Sequence, residues 1–432
     1  MKIWRFEDLS RDELRQLCRR NPLRDRQLFD VCEEIFRDVE NRGDDAVREY
    51  TRRFDGVDLQ DFRVGVREFQ EAAAKLGPNV QEALQRAASN IRKFHSAQQL
   101  AEQPVTVEAG ITCWRAARPV GTVGLYVPGG TAVLPSTVLM LAVPAKLAGC
   151  NRILLCVPPR PDGSVHEVVL AAAQTAGVKQ VFKIGGAQAI AALALGTATV
   201  PRVDKILGPG NRYVQTAKLL ATFYGTAIDM VAGPSEVLVI ADDSAEPSVV
   251  AADLIAQAEH GSDSQAVLVT SSGSVAEAVV AEVDRQLADL PRASLARPAL
   301  AQSFVVLVSS LEQAFEFSNR YAPEHLILLI ENARDWLGHV QCAGSVFVGP
   351  WTPEVAGDYA SGTNHTLPTS GQARHTSGVS MDSFVKKITF QELTAAGLRS
   401  LAPTLETLAR EEALEGHARA VRRRLELEPE AE

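Results

Sequence analysis

From residue 105 onward the chain alternates short apolar runs with longer segments rich in small residues, and this alternation limits its fold more than any other feature. "VGTVGLYV", "RILLCV", "QVFKI" and "DKILG" have the length and composition of buried strands, separated by helical "TAVLPSTVLMLAVPAKLAG", "SVHEVVLAAAQTAG" and "GGAQAIAALALG". After residue 230 the rhythm restarts, with "SEVLVIAD", "QAVLVTS", "SFVVLV", "LILLI" and "GSVFVG" as strands. Repeats of this kind build parallel sheets covered by helices on both faces. The expected fold is therefore α/β, with two Rossmann-like doubly wound parallel-sheet domains whose similar period duplication would explain. Residues 1–24 are charged and amphipathic, interrupted by "NPLRDRQLFD", so a short N-terminal helix is expected; residues 25–100 read as helical, and so does the C-terminal piece.

Composition excludes several classes. The net charge of −9 comes from 53 acidic and 44 basic residues spread along the chain, so no basic face for nucleic acid is expected. The arginines 422–424 read as the solvated side of a terminal helix, with partner binding as the alternative. Six cysteines without CxxC, and a start without an apolar signal core, point to a reducing, cytoplasmic compartment. The uncharged stretch 119–145 contains four prolines and four glycines, which suit a buried strand, turn and helix better than a membrane span.

Four of the eight histidines stand beside carboxylates or turns, in "QAEHG", "APEHL", "GTNHTLP" and "LEGHA". In the first, the i, i+3 spacing puts Gln257 and His260 on one face near a helix end, where both could reach one ion; an exposed polar terminus would look the same. In the second, Glu324 and His325 stand just before a strand, at a mouth where α/β enzymes collect reactive groups, and such a pair can activate water and act as a general base. "GPGNRY" and "YVPGGTAVLPS" are glycine-rich turns entering helices, suited to phosphate or to tight packing, but neither is the common dinucleotide fingerprint. The long Gly, Ser, Thr and Pro-rich stretch from about 350 to 380 is of a kind more often functional than idle. From the residues alone, the chain is an α/β enzyme with an N/O-ligated metal.

Taken together, "GLYVPGGTAVLPSTVLM", "GPGNRYVQTAKL", "DMVAGPSEVLVIAD", "AQAEHGSDSQAVLVT", "YAPEHL", "AGSVFVGPWTPEVAGDYASGTNHTLPT" and "LEGHARAV" resemble, in order, the motifs of the histidinol dehydrogenase family. The resemblance implies a zinc- and NAD-dependent four-electron oxidation of L-histidinol through L-histidinal to L-histidine, the end of histidine biosynthesis. Gln257, His260, Asp358 and His417 match the zinc ligands, with His417 reaching across a homodimer from the partner subunit. Glu324 and His325 match the catalytic pair, His325 as the general base and Glu324 activating water. Ser235, Glu412 and His365 fall on substrate positions alongside the zinc ligands and His325, and Tyr126, Gln188 and Asn211 match NAD contacts. The implied division is an N-terminal helical segment (1–24), a first α/β domain carrying most of the zinc and catalytic site (25–127 and 235–379), a second contributing to NAD binding (128–234) and an exchanged C-terminal helical segment (380–432). The loop after His365 departs in detail, with His375 an extra histidine, but no matched ligand or base is missing. A relative oxidising another polar alcohol is the closest rival; retained Glu412, matched to the substrate ammonium, argues against it.

Overall fold

The computed structural model describes residues 1–20, 26–98, 102–129 and 133–427. The whole of "NPLRD" and the last three residues of the "PGGTA" turn lie outside the described residues. The chain forms two units, Met1–Gln98 with Val120–Phe384, and Gln99–Pro119 with Val385–Glu432.

The larger unit contains both expected parallel sheets. One has six strands in the order Lys2–Arg5, Phe304–Leu307, Gln265–Thr270, Glu236–Ala241, His325–Leu329 and Ser345–Val348. The other has five, Gln180–Lys183, Arg152–Val157, Thr122–Tyr126, Lys205–Leu207 and Ala227–Ile228. Every pairing in both is parallel. Their central strands are buried along their whole length or nearly so, which is why they appear in the sequence as unbroken apolar runs. No described helix is long and apolar enough to cross a membrane.

Three expectations about the periphery are corrected. The N-terminal segment carries the helix Arg11–Leu17, closed by a Ser10–Glu13 capping box, but begins with a strand, Lys2–Arg5, that extends the six-stranded sheet. The helices of residues 26–96 do not join the sheet of 235–379. Leu84 and Ile91 bury against the 122–126 strand's side chains and the Pro135–Ala148 helix, and Cys32, Ile35 and Phe36 against the Gly186–Leu195 and Arg212–Phe223 helices. Periodicity fixes which helix face is buried but not which sheet receives it. The C-terminal segment is not wholly helical either. Val385–Leu393 pairs antiparallel with Ile111–Pro119, which pairs with Val105–Glu108, and Trp114 stacks on Phe390 at 5.4 Å. That strand carries charged side chains and is exposed along much of its length, so it lacks the apolar run of a core strand. The helices Ala395–Glu411 and Glu415–Leu425 complete the smaller unit, and Arg422 and Arg423 there pair with Glu406, Glu415 and Glu426 as members of a solvated face.

A fully buried ion pair fixes one turn of the five-stranded sheet. Lys218 Nζ meets Asp229 Oδ1 at 2.5 Å and donates to the Gly208 carbonyl at 2.8 Å, while Asp229 Oδ2 accepts from Gly208 N–H at 2.7 Å. Gly208 has φ of +131°, and a Cβ there would overlap the Tyr126 carbonyl oxygen, so this position requires glycine. Removing one partner leaves a buried charge unanswered. Lys218→Met should lower unfolding free energy in urea by about 3–5 kcal/mol, whereas Arg285→Ala, which breaks an exposed pair with Glu282, should leave the midpoint unchanged. Equal shifts in the two variants would contradict this.

Candidate active site

The helix Leu311–Tyr321 stops at Ala322, in the left-handed region with φ of 53°, and Pro323 cannot continue it. The chain thereby turns Glu324 and His325 into the strand His325–Leu329. Gly344 packs so closely that a Cβ would meet the Glu324 carbonyl oxygen at 2.6 Å. His325 opens its strand, so the pair stands at the amino edge of the six-stranded sheet, not at the carboxyl edge where such sheets usually place reactive groups. The helix Pro247–Ala258 runs back antiparallel to the strands, which returns its last turn, with Gln257 and then His260, to that same edge.

Glu236, first residue of its strand, holds Glu324 and His325 through its main chain. Its N–H donates to Glu324 Oε2 at 3.0 Å, and its carbonyl lies 3.1 Å from His325 Nδ1. A carbonyl can only accept, so Nδ1 carries the proton and Nε2 offers a lone pair. Nε2 is buried with no hydrogen-bond partner, 3.8 Å from Asp358 Oδ1. The side chain of Glu236 is anchored by Arg20 and by Ser370 N–H at 2.9 Å, and Arg20 stacks 3.5 Å from the Tyr321 ring centroid.

Around His325 the fold buries carboxylates. Glu324, Glu354, Asp358 and Asp253 are all buried, and His260, Glu354 and Asp358 each offer a ligand atom within 4.8 Å of one another. Burial, the charges of Asp358, Glu324 and Asp253 in that order, push Glu354 well above the usual carboxylate range. Burial also raises Glu324 strongly, Asp358 to about 7 and Asp253 to about 6. The same burial, reinforced by His260 and His365, lowers His325 to about 3 and keeps it neutral. The neutral His325 ring lies 3.7 Å from a Glu324 oxygen, 3.6 Å from one of Glu354 and 3.8 Å from one of Asp358. Carboxylates crowded in this way favour a bound cation, and the imidazole, amide and carboxylate donors suit a divalent metal such as zinc.

The structure brings together Ser235, Gln257, His260, Glu324, His325, Asp358 and His365 at or beside this edge. His365 donates from Nδ1 to the Asp358 carbonyl at 2.8 Å, and its Nε2 lies 3.0 Å from Thr137 Oγ1, which leaves neither ring nitrogen free. Glu412 and His417 lie in the smaller unit, exposed at and beyond the end of the Ala395–Glu411 helix. Glu354 was not among the expected site residues. Its i, i+4 spacing to Asp358 in "PEVAGDY" places both carboxylates on one helix face and was the signal available.

Tyr126, Gln188 and Asn211 line a separate cavity of about 920 Å³ with Pro128, Pro158 and Arg160. It lies at the carboxyl ends of the 122–126 and 205–207 strands, where strand order reverses, the usual ligand crevice of such a sheet. Tyr126 Oη accepts from Gly186 N–H at 3.0 Å, and Asn211 Oδ1 caps the Arg212–Phe223 helix. The Pro135–Ala148 helix links cavity and cleft: Leu134, at its start, lines the cavity, and Thr137 reaches His365.

Fold and site together define a two-sheet α/β enzyme with a metal-compatible acid cleft and a nucleotide-sized crevice. A family model for histidinol dehydrogenase matches residues 18–425. Histidinol dehydrogenase of Bacteroides thetaiotaomicron is 51% identical over 425 residues, covering 98% of this chain and 99% of its own length. That of Xanthomonas campestris pv. campestris is 53% identical over 400 residues, covering 92% and 93%. The crystal structure of histidinol dehydrogenase from Elizabethkingia anophelis superposes with a TM-score of 0.95 at 47% identity, covering 98% of each chain. The chain belongs to the histidinol dehydrogenase family and is an oxidoreductase.

Asp55 lines the cavity and lies 3.4 Å from Gln188 Nε2, and burial lifts its carboxyl from 3.8 to about 6. A raised folded pKa means the unfolded chain gives up this proton first, so stability is lost as pH rises from about 4 to about 6. Asp55→Asn should therefore raise the unfolding temperature at pH 8 and leave it unaltered below pH 4, measured by thermal scans. A gain confined to low pH would contradict this assignment.

Proposed function

We propose that this enzyme oxidises L-histidinol through L-histidinal to L-histidine, the end of histidine biosynthesis, working in the cytoplasm. The observation that carries the reading is the unpartnered Nε2 of buried His325, held beside an acid cleft suited to a cation. Zinc would be held by Gln257, His260 and Asp358, with His417 of a second copy as fourth donor, which makes the enzyme a homodimer with shared sites and an exchanged 380–432 segment. When bound, zinc supplies positive charge in the cleft and fixes the substrate's imidazole and amine. NAD, when bound against Tyr126, Gln188 and Asn211, accepts hydride in each oxidation.

His325 Nε2 takes the hydroxyl proton as the alcohol carbon gives up hydride, which yields the aldehyde. The low proton affinity of the ring lets it pass this proton to solvent water, which restores the neutral form between the two oxidations. Glu324 then takes a proton from the water that adds to the aldehyde, a task for which burial makes its carboxylate a stronger base. His325 takes the hydrate's hydroxyl proton in the second oxidation, and the product is the carboxylate. Glu412 receives the substrate ammonium and Ser235 adds a polar contact, while His365 steadies Asp358 through its main chain. Keeping both oxidations in one cleft holds the reactive aldehyde in place.

Purified protein should form two NADH per L-histidinol, lose this activity to a chelator and recover it with zinc; turnover of another polar alcohol in its place would overturn the substrate. His325→Asn should lower the first oxidation by roughly 10²–10⁴-fold with zinc still bound. Glu324→Gln should slow L-histidinal oxidation far more than histidinol oxidation. Equal loss of both steps in the Glu324 variant would contradict its role.

A further inference from the structure

Gln257 and Glu354 come from different elements, the Pro247–Ala258 helix and the Glu354–Tyr359 helix, and both side chains are almost wholly removed from solvent. With its nitrogen turned toward Glu354, the Gln257 amide donates to Glu354 Oε1 at 2.6 Å and approaches Oε2 at 3.3 Å. The opposite orientation sets the amide oxygen against a carboxylate. A carboxamide ligates a hard cation through oxygen alone, and its buried NH₂ then needs an acceptor.

We propose that Glu354 is a positioning residue: it accepts from the Gln257 amide nitrogen and so aims the amide oxygen at the cation, without being a ligand itself. The inference rests on the zinc site described above and adds to it the group that orients one ligand. Glu354 also has an oxygen near His260 and Asp358, so direct ligation is the reading it must exclude. Oε1, which receives the amide, lies 3.6 Å from His325 Nδ1, whose proton goes to the Glu236 carbonyl, so the Gln257 amide is the donor this oxygen meets.

The two roles separate in a double-mutant cycle on zinc affinity, measured by competition with a chromophoric chelator, with the visible spectrum of the cobalt-substituted protein as a second readout. Glu354→Leu, which removes the acceptor, should weaken zinc by about 10–100-fold. Glu354→Gln keeps an acceptor oxygen at the same reach and should stay close to the wild type in affinity and cobalt spectrum. Adding Glu354→Leu to Gln257→Ala should cost nothing further.

Additive losses, a Glu354→Gln variant as weak as Glu354→Leu, or no effect of Glu354→Leu would each overturn the inference while leaving the zinc site standing. If Glu354→Leu fails to fold, the isosteric Gln variant decides: near wild-type affinity supports positioning, and a large loss overturns it. Wild-type protein that binds no zinc would overturn the site and the inference with it.

Discussion

Glu324, Glu354, Asp358 and Asp253 are buried around one cleft, and their mutual repulsion in a poorly solvated place is the constraint on which the site depends. Such a group is stable only if protons or a cation neutralise it. The fold answers Glu236 with Arg20 and leaves the other carboxylates facing His260 and His325. The same burial that raises the acids keeps the His325 ring neutral, with its Nε2 lone pair available. Acid crowding and base readiness thus have one physical cause.

The acid cleft and the cavity use opposite edges of their two sheets. In the six-stranded sheet, parallel pairing sets His325 beside Val237, which brings the Glu236 peptide against both Glu324 and His325. Main-chain groups on a central strand are rigid, so the His325 tautomer is set by the sheet itself. The helix that follows the 236–241 strand must run back to the amino edge, and that return delivers Gln257 and His260. In the five-stranded sheet the crevice sits at the usual carboxyl edge, between strands whose order reverses, and the Lys218–Asp229 pair fixes the turn before Asn211. The Pro135–Ala148 helix joins the two places, with Leu134 in the cavity wall and Thr137 bonded to His365.

Much of this was legible in the sequence. Central parallel strands such as "VLVIA" and "ILLCV" are buried on both faces, so they stand out as apolar runs, and the helices between them fall where the pattern places them. Val385–Leu393 was not legible, because a strand with "VKKITFQEL" exposed along it has no apolar signature. The docking of residues 26–96 depends on contacts far apart in sequence, which periodicity does not encode. At the site, Gln257 and His260 could be paired from helical spacing and Glu324 with His325 from adjacency. Glu354 could have been paired with Asp358 from helical spacing, but its contact with Gln257, 97 positions away (354 − 257), is made only by the fold. The amino-edge location likewise follows from where the strand begins, at His325 itself, rather than from any motif.

The central claim is that the acid cleft at the amino edge is built around one bound divalent cation. Anomalous diffraction at the zinc edge, from crystals of the zinc-loaded protein, tests it most directly. The account predicts a peak in each cleft, within bonding distance of Gln257, His260 and Asp358. An anomalous peak elsewhere, or none in a zinc-loaded crystal, would contradict it.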